Sequence, residues 1–447
     1  MTKLAPAVAL ALVFALTGCD PQKGDWGFGA IDTMPTPKDD PSLTCGVALP
    51  ADALASKRQG CAFGAGALPE TTLGISPEVA AQIPIRHVIV LMKENRSFDH
   101  IFGALPGEEI PASYTNPDEA GHPVAPFHQT NSCFPQDPGH QSRHVLAGVD
   151  RGKMDGFVKS AASSTGTDGH FVMGHYTASE LPFYYWLAQS YALSDRHFAP
   201  VESGTFANRD YFLFGTNAGA VDTGIVFPPP NSPSLMQRLI QAKFTWGAYT
   251  DGSPLSGTVD WAAGDPGVHT LQDFYAALKN GTLPNVSFVD GKDYIEDEHP
   301  DADLQVGEAW TRNIYERAVA SPEWNRLVIF WTYDEAGGFA DHVRPPAACP
   351  AEPGTPFVRR GPRIPLIAIS PWARRAYVSH DPTDHTAITR FIELLFHLPA
   401  LSARDANSDA LLDLFDFSCG RDLSVGPAPA AGTGACTNPA PPGSHGG

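Results

Sequence analysis

The sequence lacks the short motifs that mark several large classes of hydrolase. It contains no G-x-S-x-G, G-x-x-x-x-G-K-[ST] or H-E-x-x-H segment. A serine hydrolase of the nucleophile-elbow type, a P-loop nucleotidase and a zincin metalloprotease therefore have no support. There is no C-x-x-C pair either, which removes the basis for a zinc ribbon or a thioredoxin-like site. For hydrolytic chemistry, a hydroxyl nucleophile with a metal ion remains.

Positive charge is also scarce. The 447 residues include 30 Lys and Arg against 49 Asp and Glu, which gives a net charge of -19 at pH 7. Such a chain repels a polyphosphate backbone, which argues against nucleic acid as the main partner, whereas local acid clusters can hold cations. Only 18% of the residues are charged, and with 42 Gly and 42 Pro much of the chain must be loop. The hydrophobic content of 43% predicts a globular protein.

The N-terminus has the pattern of an export signal. Lys3 precedes an apolar run from Ala5 to Leu16, and Thr17, Gly18 and Cys19 follow it. A membrane-spanning helix needs about 20 apolar residues, so a signal peptide is favoured over a permanent transmembrane helix. The pattern resembles that of bacterial lipoproteins, which implies that residues 1–18 are removed and that Cys19 is lipidated. We therefore expect an exported protein, anchored by lipid at a membrane of the bacterial cell envelope.

The other six cysteines predict disulfides, because an even number of cysteines in an exported chain is typical of a disulfide framework. Six cysteines allow fifteen pairings. We favour Cys45 with Cys61 and Cys419 with Cys436, because each pair closes a short loop near one end of the chain. Cys133 with Cys349 is then the third pair. Bridges of this kind stabilise by roughly 3 kcal/mol and would fix otherwise loose termini.

The composition divides the mature chain into three parts. Residues 19–83 are rich in Gly, Pro, Ala and Asp and read as a tether and an N-terminal arm. Residues 84–425 show no internal repeat and no linker, so we predict one large domain there. Residues 426–447 are a Pro- and Gly-rich tail.

Apolar runs of strand length alternate with helical patterns through the large domain. The predicted strands are Ile85–Met92, Phe244–Tyr249, Val286–Val289, Leu327–Thr332 and Ile364–Ile369. The predicted helices are Leu181–Tyr191, Pro233–Lys243 after a Ser232 cap, Leu271–Lys279, Gly307–Ala320 and Thr386–Leu398. This alternation predicts an α/β fold, with a mostly parallel central sheet flanked by helices on both faces. Ligands in such folds bind beyond the carboxyl ends of the strands.

Two of the predicted strands end in acidic residues. Glu94 and Asn95 follow the first strand, and Asp334 and Glu335 follow the strand that begins at Leu327. Three carboxylates and an amide oxygen at one edge of the sheet would repel one another unless a hard cation such as Mg²⁺, Ca²⁺ or Mn²⁺ lay between them. The alternative is that each acid caps the next helix or loop, as acids after strands often do. Taken together, the two pairs favour a metal site.

A hydroxyl and several histidines could complete a catalytic site. Thr205 follows Gly204 at the predicted start of a helix, where exposed amides favour a bound phosphate, although on this segment alone an ordinary N-cap is the better explanation. A threonine hydroxyl needs a metal or a base to attack at neutral pH. His140, His299 and His342 lie in polar loops and could contact a phosphoryl oxygen or protonate a leaving oxygen. Most of the sixteen histidines are expected to be solvated or structural, and we place His385 among the structural ones.

Several segments together resemble the bacterial acid phosphatase and phospholipase C phosphoesterase family, within the alkaline phosphatase superfamily. The resemblance spans about residues 84 to 400 and is carried by Glu94–Gly103, Gly152–Phe157, Asp195–Phe198, Gly204–Arg209, Glu298–Pro300, Asp334–Val343 and Ile369–Trp372. It implies an alkaline-phosphatase-like α/β sandwich and a phosphate ester or phospholipid substrate. It also implies that Thr205 is the nucleophile and that His140 and His299 contact the phosphoryl group.

The resemblance implies one divalent metal ion, held by Glu94, Asn95, Asp334 and Glu335, and leaves Mg, Ca, Mn and Zn open. We assign Asn208 and His342 to substrate binding. The family's phospholipases often carry additional C-terminal β-domains, whereas here a short tail follows the last predicted helix.

We therefore predict a metal-dependent phosphomonoesterase of the acid phosphatase type that works through a phosphothreonine. A phospholipase C is the alternative within this class, and a lipid-anchored binding protein without turnover is the alternative of another class.

Overall fold

The computed structural model describes residues 45–133, 135–219, 233–252, 267–351, 358–419 and 425–437. The strands in chain order are β1 (His87–Lys93), β2 (Asn116–Pro117), β3 (Pro123–Val124), β4 (Phe127–His128), β5 (Gly174–His175), β6 (Ala192–Ser194), β7 (His197–Phe198), β8 (Trp246–Tyr249), β9 (Val268–His269), β10 (Val286–Val289), β11 (Leu327–Tyr333), β12 (Leu366–Ile369), β13 (Tyr377–Ser379) and β14 (Thr383–Asp384). The helices are α1 (Ala55–Gln59), α2 (Pro69–Thr72), α3 (Pro77–Ala80), α4 (Phe98–Phe102), α5 (Ser142–Val149), α6 (Phe157–Thr165), α7 (Pro182–Ser190), α8 (Thr205–Phe214), α9 (Leu235–Gln241), α10 (Leu271–Asn280), α11 (Leu304–Val319), α12 (His385–Phe396) and α13 (Ala403–Ala406).

A central sheet of eight strands organises the fold, in the order β13-β6-β12-β11-β1-β10-β8-β9. Every neighbouring pair in it is parallel except the two pairs made by β12, which runs antiparallel to β11 and to β6. The prediction of a mostly parallel sheet is thus confirmed. The carboxyl ends of β6, β11, β1 and β10 lie along one edge of this sheet.

The middle of the sheet is buried on both faces. All seven residues of β11 are buried, as are six of the seven in β1, and both strands consist largely of Val, Ile, Leu and aromatic side chains. Because successive side chains in a strand point to opposite faces, burial of the whole strand means that helices and loops cover both faces. The same apolar runs allowed these strands to be predicted from the sequence.

The predicted elements lie where they were expected, with small shifts at their ends. β10 has the predicted bounds, and α10 extends one residue beyond the prediction. Helix α9 begins at Leu235 after a Ser234 cap with a full capping box, so the predicted start was two residues early. Ser232 lies outside the described residues.

The three disulfides differ from the predicted pairs. Cys45 is bonded to Cys419, Cys61 to Cys349 and Cys133 to Cys436, with sequence separations of 374, 288 and 303 residues. The predicted pairs Cys45–Cys61, Cys419–Cys436 and Cys133–Cys349 are therefore wrong. Proximity along the chain misled the prediction, because the fold packs both ends of the chain onto the central domain.

Both ends of the described chain contact the domain through backbone hydrogen bonds as well. Gly46 N donates to Phe417 O at 2.7 Å. In the tail, Gly432 N donates to Glu308 Oε2 at 2.6 Å, which attaches the segment to α11. None of the helices in the described ranges is long and apolar enough to cross a membrane.

Candidate active site

The strand-end acids meet at the carboxyl edge of the sheet. Lys93 and Tyr333, the last residues of β1 and β11, are partners in register, so the residues that follow them start side by side. Asp334 N donates to Lys93 O at 3.0 Å, and Asn95 N donates to Asp334 Oδ1 at 3.3 Å. The side chains that follow both strands are buried. The predicted meeting of the two acid pairs is present in the structure.

Thr205 lies beside these acids. It is the first residue of α8, and its hydroxyl donates to Glu94 Oε2 at 3.4 Å. The first amides of a helix have no partner within the helix, so the ten-residue α8 directs amide donors and its positive dipole end towards this point. Gly204 has φ −85° and ψ −171°, an extended conformation that any residue adopts, so the turn itself does not require glycine there.

Arg209 is a member of the site that the sequence analysis missed. Its guanidinium contacts Glu94 Oε1 at 2.7 Å, Asp290 Oδ1 at 3.2 Å and Asp334 Oδ2 at 3.7 Å. Two signals could have found these residues: Arg209 is four residues after Thr205 on the same helix face, and Asp290 follows β10 as Glu94 follows β1. Five side chains lie together next to Thr205, and we call this group the Thr205 cluster: Glu94, Asn95, Asp334, Glu335 and Arg209.

The charges of the Thr205 cluster do not balance. Burial, and then the neighbouring Asp334 carboxylate, raise the pKa of Glu94 well above its usual value. Burial raises the pKa of Glu335 to about 8, and it raises that of Asp334 against the opposing charge of Arg209. Glu94 and Asp334 share the guanidinium of Arg209 with Asp290, and His140 opposes the charge of Glu335. Four buried carboxylates thus have two cationic partners, which favours the arrival of another positive charge.

The side chain of Asn95 lies at the centre of these acids. One of its two terminal atoms is 2.9 Å from an oxygen of each of Glu94, Asp334 and Glu335, and the other is 3.1 Å from His299 Nε2. With nitrogen towards the acids, the amide donates to them and its oxygen accepts from His299. With oxygen towards the acids, four oxygens face one another, an arrangement that only a cation would favour.

The backbone around Asn95 is equally constrained. Asn95 has φ +65°, a left-handed conformation that asparagine tolerates. A Cβ at Gly337, which has φ +63°, would lie 2.2 Å from Asn95 O. Glycine is thus required where the loop after β11 crosses Asn95.

His140 and His299 face each other next to this amide, with ring centroids 5.8 Å apart. Although burial disfavours its charge, the carboxylates of Glu335 and Asp137 raise the pKa of His140 to about 10. Burial lowers the pKa of His299 to about 4. At neutral pH the pair therefore consists of one cationic and one neutral imidazole.

Two predicted substrate-binding residues lie elsewhere. Asn208 is buried against its own loop: Nδ2 donates to Ser203 O at 2.7 Å and to Gly204 O at 3.0 Å, and Oδ1 accepts from Val201 N at 2.9 Å. In the structure these hydrogen bonds fix the turn that precedes Thr205. Cys19 lies outside the described residues.

His342 belongs to a second group of buried acids. Its Nδ1 is 2.8 Å from Asp99 Oδ2, and Arg363 Nη2 donates to Asp99 Oδ1 at 2.8 Å. Arg363 Nε lies 3.2 Å from both carboxylate oxygens of Asp341. We call Asp99, Asp341, His342 and Arg363 the Arg363 cluster.

The phosphoesterase family model matches residues 85–399, about seven tenths of the chain. The chain belongs to the Phosphoesterase family. It is thus a hydrolase that acts on phosphoric ester bonds. Similar proteins include non-specific phospholipase C3 of Arabidopsis thaliana, 28% identical over 72% of each chain. Phospholipase C B of Mycobacterium tuberculosis is 29% identical over 79% of this chain and 82% of its own length.

Two solved structures resemble the chain weakly. A protein of the alkaline phosphatase superfamily from Vibrio parahaemolyticus is 10% identical, covers 73% of this chain and 69% of its own, and has a TM-score of 0.35. A lipoteichoic acid synthase from Listeria monocytogenes is 9% identical, covers 79% and 82% respectively, and has a TM-score of 0.34. Because these TM-scores are low, the fold is assigned from the central sheet described above and not from the two solved structures.

The donor set of this phosphoesterase fits a hard divalent cation. Carboxylate and amide oxygens are the ligands such ions prefer, and the uncompensated charge of the Thr205 cluster is the condition that a cation relieves. In the described residues, the acid and histidine groups whose ligand atoms all lie within 4.8 Å of one another are Asp99–Asp341–His342 and Glu108–Asp195–His380. The carboxylates of the Thr205 cluster are instead spread around the Asn95 amide.

A buried network holds His299 of the phosphoesterase in place. The preceding residue, Glu298, has φ +73° and a fully buried side chain that accepts hydrogen bonds from the hydroxyls of Tyr184 and Tyr333. Lys93 Nζ lies 3.1 Å from Glu298 Oε1, and Arg96 Nη2 donates to Glu298 O at 2.8 Å. His299 therefore follows a residue whose carboxylate and carbonyl are both fixed.

Proposed function

We propose that this phosphoesterase hydrolyses its substrate through a phosphothreonine formed at Thr205. The observation that carries the proposal is the Thr205 hydroxyl, which lies at the N-terminus of α8 and donates to Glu94 Oε2 at 3.4 Å. Oε2 is the atom towards which the hydroxyl proton points, and the helix amides lie where phosphoryl oxygens would be held. Threonine would attack phosphorus in line as the bond to the leaving oxygen breaks, and water would later hydrolyse the phosphoenzyme, which still carries the headgroup when the substrate is a diester.

We propose that Glu94, Asn95, Asp334 and Glu335 hold one divalent cation, whose charge would lower the pKa of the Thr205 hydroxyl and neutralise phosphoryl oxygens. The histidine contacts support the amide orientation that this requires. His299 Nδ1 lies 3.1 Å from Pro300 O and can donate to it. Nε2 is then an acceptor for the Asn95 amide nitrogen, which leaves the amide oxygen facing the acids.

The two histidines take different roles in this proposal. The raised pKa of His140 keeps it cationic, so it donates to the phosphoryl oxygens as negative charge develops. His299 starts neutral, because burial lowers its pKa to about 4. The charge of a bound phosphate favours protonation of a nearby imidazole, so Nε2 of His299 would exchange its hydrogen bond from the Asn95 amide for a proton and deliver that proton to the leaving oxygen.

The substrate we propose is a phospholipid, cleaved as by a phospholipase C. The sequence placed a phosphomonoester first, but two observations favour the lipid diester. The relatives described above are named phospholipases C. In addition, Tyr294 and Ile295, which are 39% and 42% exposed, lie beside the site, with the Tyr294 ring 4.7 Å from that of His299. Such an apolar pair at the rim could contact an acyl chain.

Thr205→Ala tests the nucleophile. With a divalent cation added, the variant should lose at least about 10³-fold in kcat on p-nitrophenyl phosphorylcholine, because alanine has no oxygen to attack phosphorus. Thr205→Ser is the matched control and should retain much of the rate. Equal rates in wild type and Thr205→Ala would refute the assignment.

A leaving-group comparison tests substrate and proton donor together. Wild type should release diacylglycerol from phosphatidylcholine faster than it cleaves p-nitrophenyl phosphate. His299→Gln should lose much more activity on the lipid than on p-nitrophenyl phosphorylcholine, because nitrophenolate leaves without a proton. Faster cleavage of the monoester by wild type would instead favour the phosphomonoesterase.

We also propose that the protein is exported and held at a membrane by lipid on Cys19, as the N-terminal pattern implies. Such an anchor would keep the enzyme next to a phospholipid substrate. Cys19→Ala expressed in a Gram-negative host should move from the membrane fraction to the soluble fraction. Retention of the variant at the membrane would contradict the lipid anchor.

A further inference from the structure

A second group of possible metal ligands lies further along the same edge of the sheet. Asp195 follows β6 and His380 follows β13, and these parallel strands are in register at Ser194 and Ser379. Asp195 N donates to Ser379 O at 3.1 Å, so the two side chains leave the sheet next to each other. Glu108 joins them from the loop after α4, where its amide donates to Leu105 O at 2.9 Å.

We propose that Glu108, Asp195 and His380 form a divalent metal site that binds Zn²⁺. One ligand atom from each residue lies within 4.8 Å of the other two, and His380 Nδ1 is 2.8 Å from Asp195 Oδ2. If a cation replaced the proton of this hydrogen bond, His380 Nδ1 and Asp195 Oδ2 would have to move only slightly apart. The site is separate from the Thr205 cluster and shares no residue with it.

An independent observation is a buried carboxylate oxygen in the group that receives no hydrogen bond from an N–H or hydroxyl group of the described residues. Asp195 is only 6% exposed, and among the residues that the structure describes no N–H or hydroxyl group donates to its Oδ1. The carboxyl of Glu108 hydrogen-bonds to the Asp195 side chain, so in the absence of a cation the two carboxyl groups must share a proton. A buried carboxylate oxygen without a partner is costly, and ions and ordered water are the usual remedies. Arg363 does not supply one, because its Nη1 donates to the backbone oxygen of Asp195, at 3.0 Å, and not to the carboxylate.

The ligand types favour zinc over the cation expected at the Thr205 cluster. Carboxylate oxygens and imidazole nitrogens are both zinc ligands, whereas Mg²⁺ and Ca²⁺ prefer oxygen ligands alone. The side chain of His380 is 70% exposed, so the ion can enter from solvent and keep water in a remaining position. Bound zinc would join the ends of β6 and β13 to the loop after α4.

Zinc content measured in matched pairs of variants tests the site without reference to activity. Asp334→Ala is used as the background, so that the Thr205 cluster contributes little. The full chain, with its disulfides intact, is stripped with chelator, supplied with zinc, passed through gel filtration and measured by elemental analysis. We expect the background to hold one zinc ion more than the same chain with His380→Ala. It should also show a rise in melting temperature with zinc that His380→Ala abolishes.

His122→Ala is the matched control. His122 is also exposed and lies 3.3 Å from a carboxylate oxygen, that of Asp118, but among the described residues it belongs to no group of three ligand atoms that all lie within 4.8 Å of one another. This variant should keep the full zinc content, and Glu108→Gln should lose it as His380→Ala does. Equal zinc content in His380→Ala, Glu108→Gln and His122→Ala would overturn the proposal, as would a background that binds no zinc.

Discussion

The Thr205 cluster and the Arg363 cluster are both groups of buried acids, yet they differ in how their charge is balanced. In the Arg363 cluster, two carboxylates share the guanidinium of Arg363 and the ring of His342. In the Thr205 cluster, Glu94 and Asp334 share Arg209 with the nearby Asp290, and Glu335 is opposed by His140. Burial raises the pKa of Asp341 to about 6 but that of Glu335 to about 8. Buried acids whose charge is matched by nearby cationic side chains stabilise the fold, whereas an excess of buried negative charge favours the binding of a cation.

Asp334→Asn should separate activity from stability, and it is the largest effect expected. It removes one carboxylate from a cluster with excess negative charge, so the free energy of unfolding at pH 7 should be unchanged or higher. It also removes a proposed metal ligand, so the rate of hydrolysis should fall by at least about 10²-fold. Initial rates on p-nitrophenyl phosphorylcholine and urea unfolding measure the two quantities. A variant that unfolds more easily than wild type would show that Asp334 stabilises the fold as Asp341 does.

Asp341→Asn should have the opposite result. It removes a charge that Arg363 needs and leaves a buried guanidinium with fewer partners, so the free energy of unfolding should fall by about 3 kcal/mol. Urea unfolding of wild type and variant measures this loss. If stability does not change, the Arg363 cluster is not the balanced structural group described here.

The pH dependence of stability sharpens the comparison further. A carboxyl group whose pKa is raised in the folded state is protonated there before it is protonated in the unfolded chain. Its contribution is therefore full below the unfolded pKa and is lost as pH rises through the folded value. For Glu335 this loss extends from about 4.5 to about 8.

Glu335→Gln should therefore make the stability of metal-free protein less dependent on pH between about 4.5 and 8. Urea unfolding at a series of pH values measures this dependence. Saturating divalent cation should have a similar effect on wild type, because it stabilises the ionised acids. An unchanged pH profile in both experiments would mean that Glu335 does not carry the excess charge.

The sequence was sufficient for the parts of the site that follow long apolar strands. β1 and β11 are seven-residue runs of mostly apolar side chains, so their ends, and with them Glu94 and Asp334, could be located. The three-residue strands β6 and β13 were not predicted, because such short runs carry no periodic signal. Asp195 was therefore not recognised as a strand-end acid.

Long-range pairing was the part that the sequence could not supply. The disulfide from Cys45 to Cys419 joins residues 374 positions apart, and the preference for short loops pointed to other partners. Asn208 was assigned to substrate because of its place in a motif, whereas in the structure its polar atoms contact the backbone of the loop. Whether a polar side chain faces a substrate or its own loop depends on packing that sequence patterns do not contain.

Trapping the covalent intermediate tests the central claim most directly. Wild type mixed with p-nitrophenyl phosphorylcholine and divalent cation is quenched in acid within a turnover, digested and analysed by mass spectrometry. The proposed mechanism predicts a phosphorylcholine adduct on the peptide that carries Thr205, because attack at phosphorus expels p-nitrophenolate and leaves the choline ester intact. The adduct should be absent from Thr205→Ala and from chelator-treated enzyme. An adduct on another residue, or turnover with inversion of configuration at phosphorus and no adduct, would contradict it.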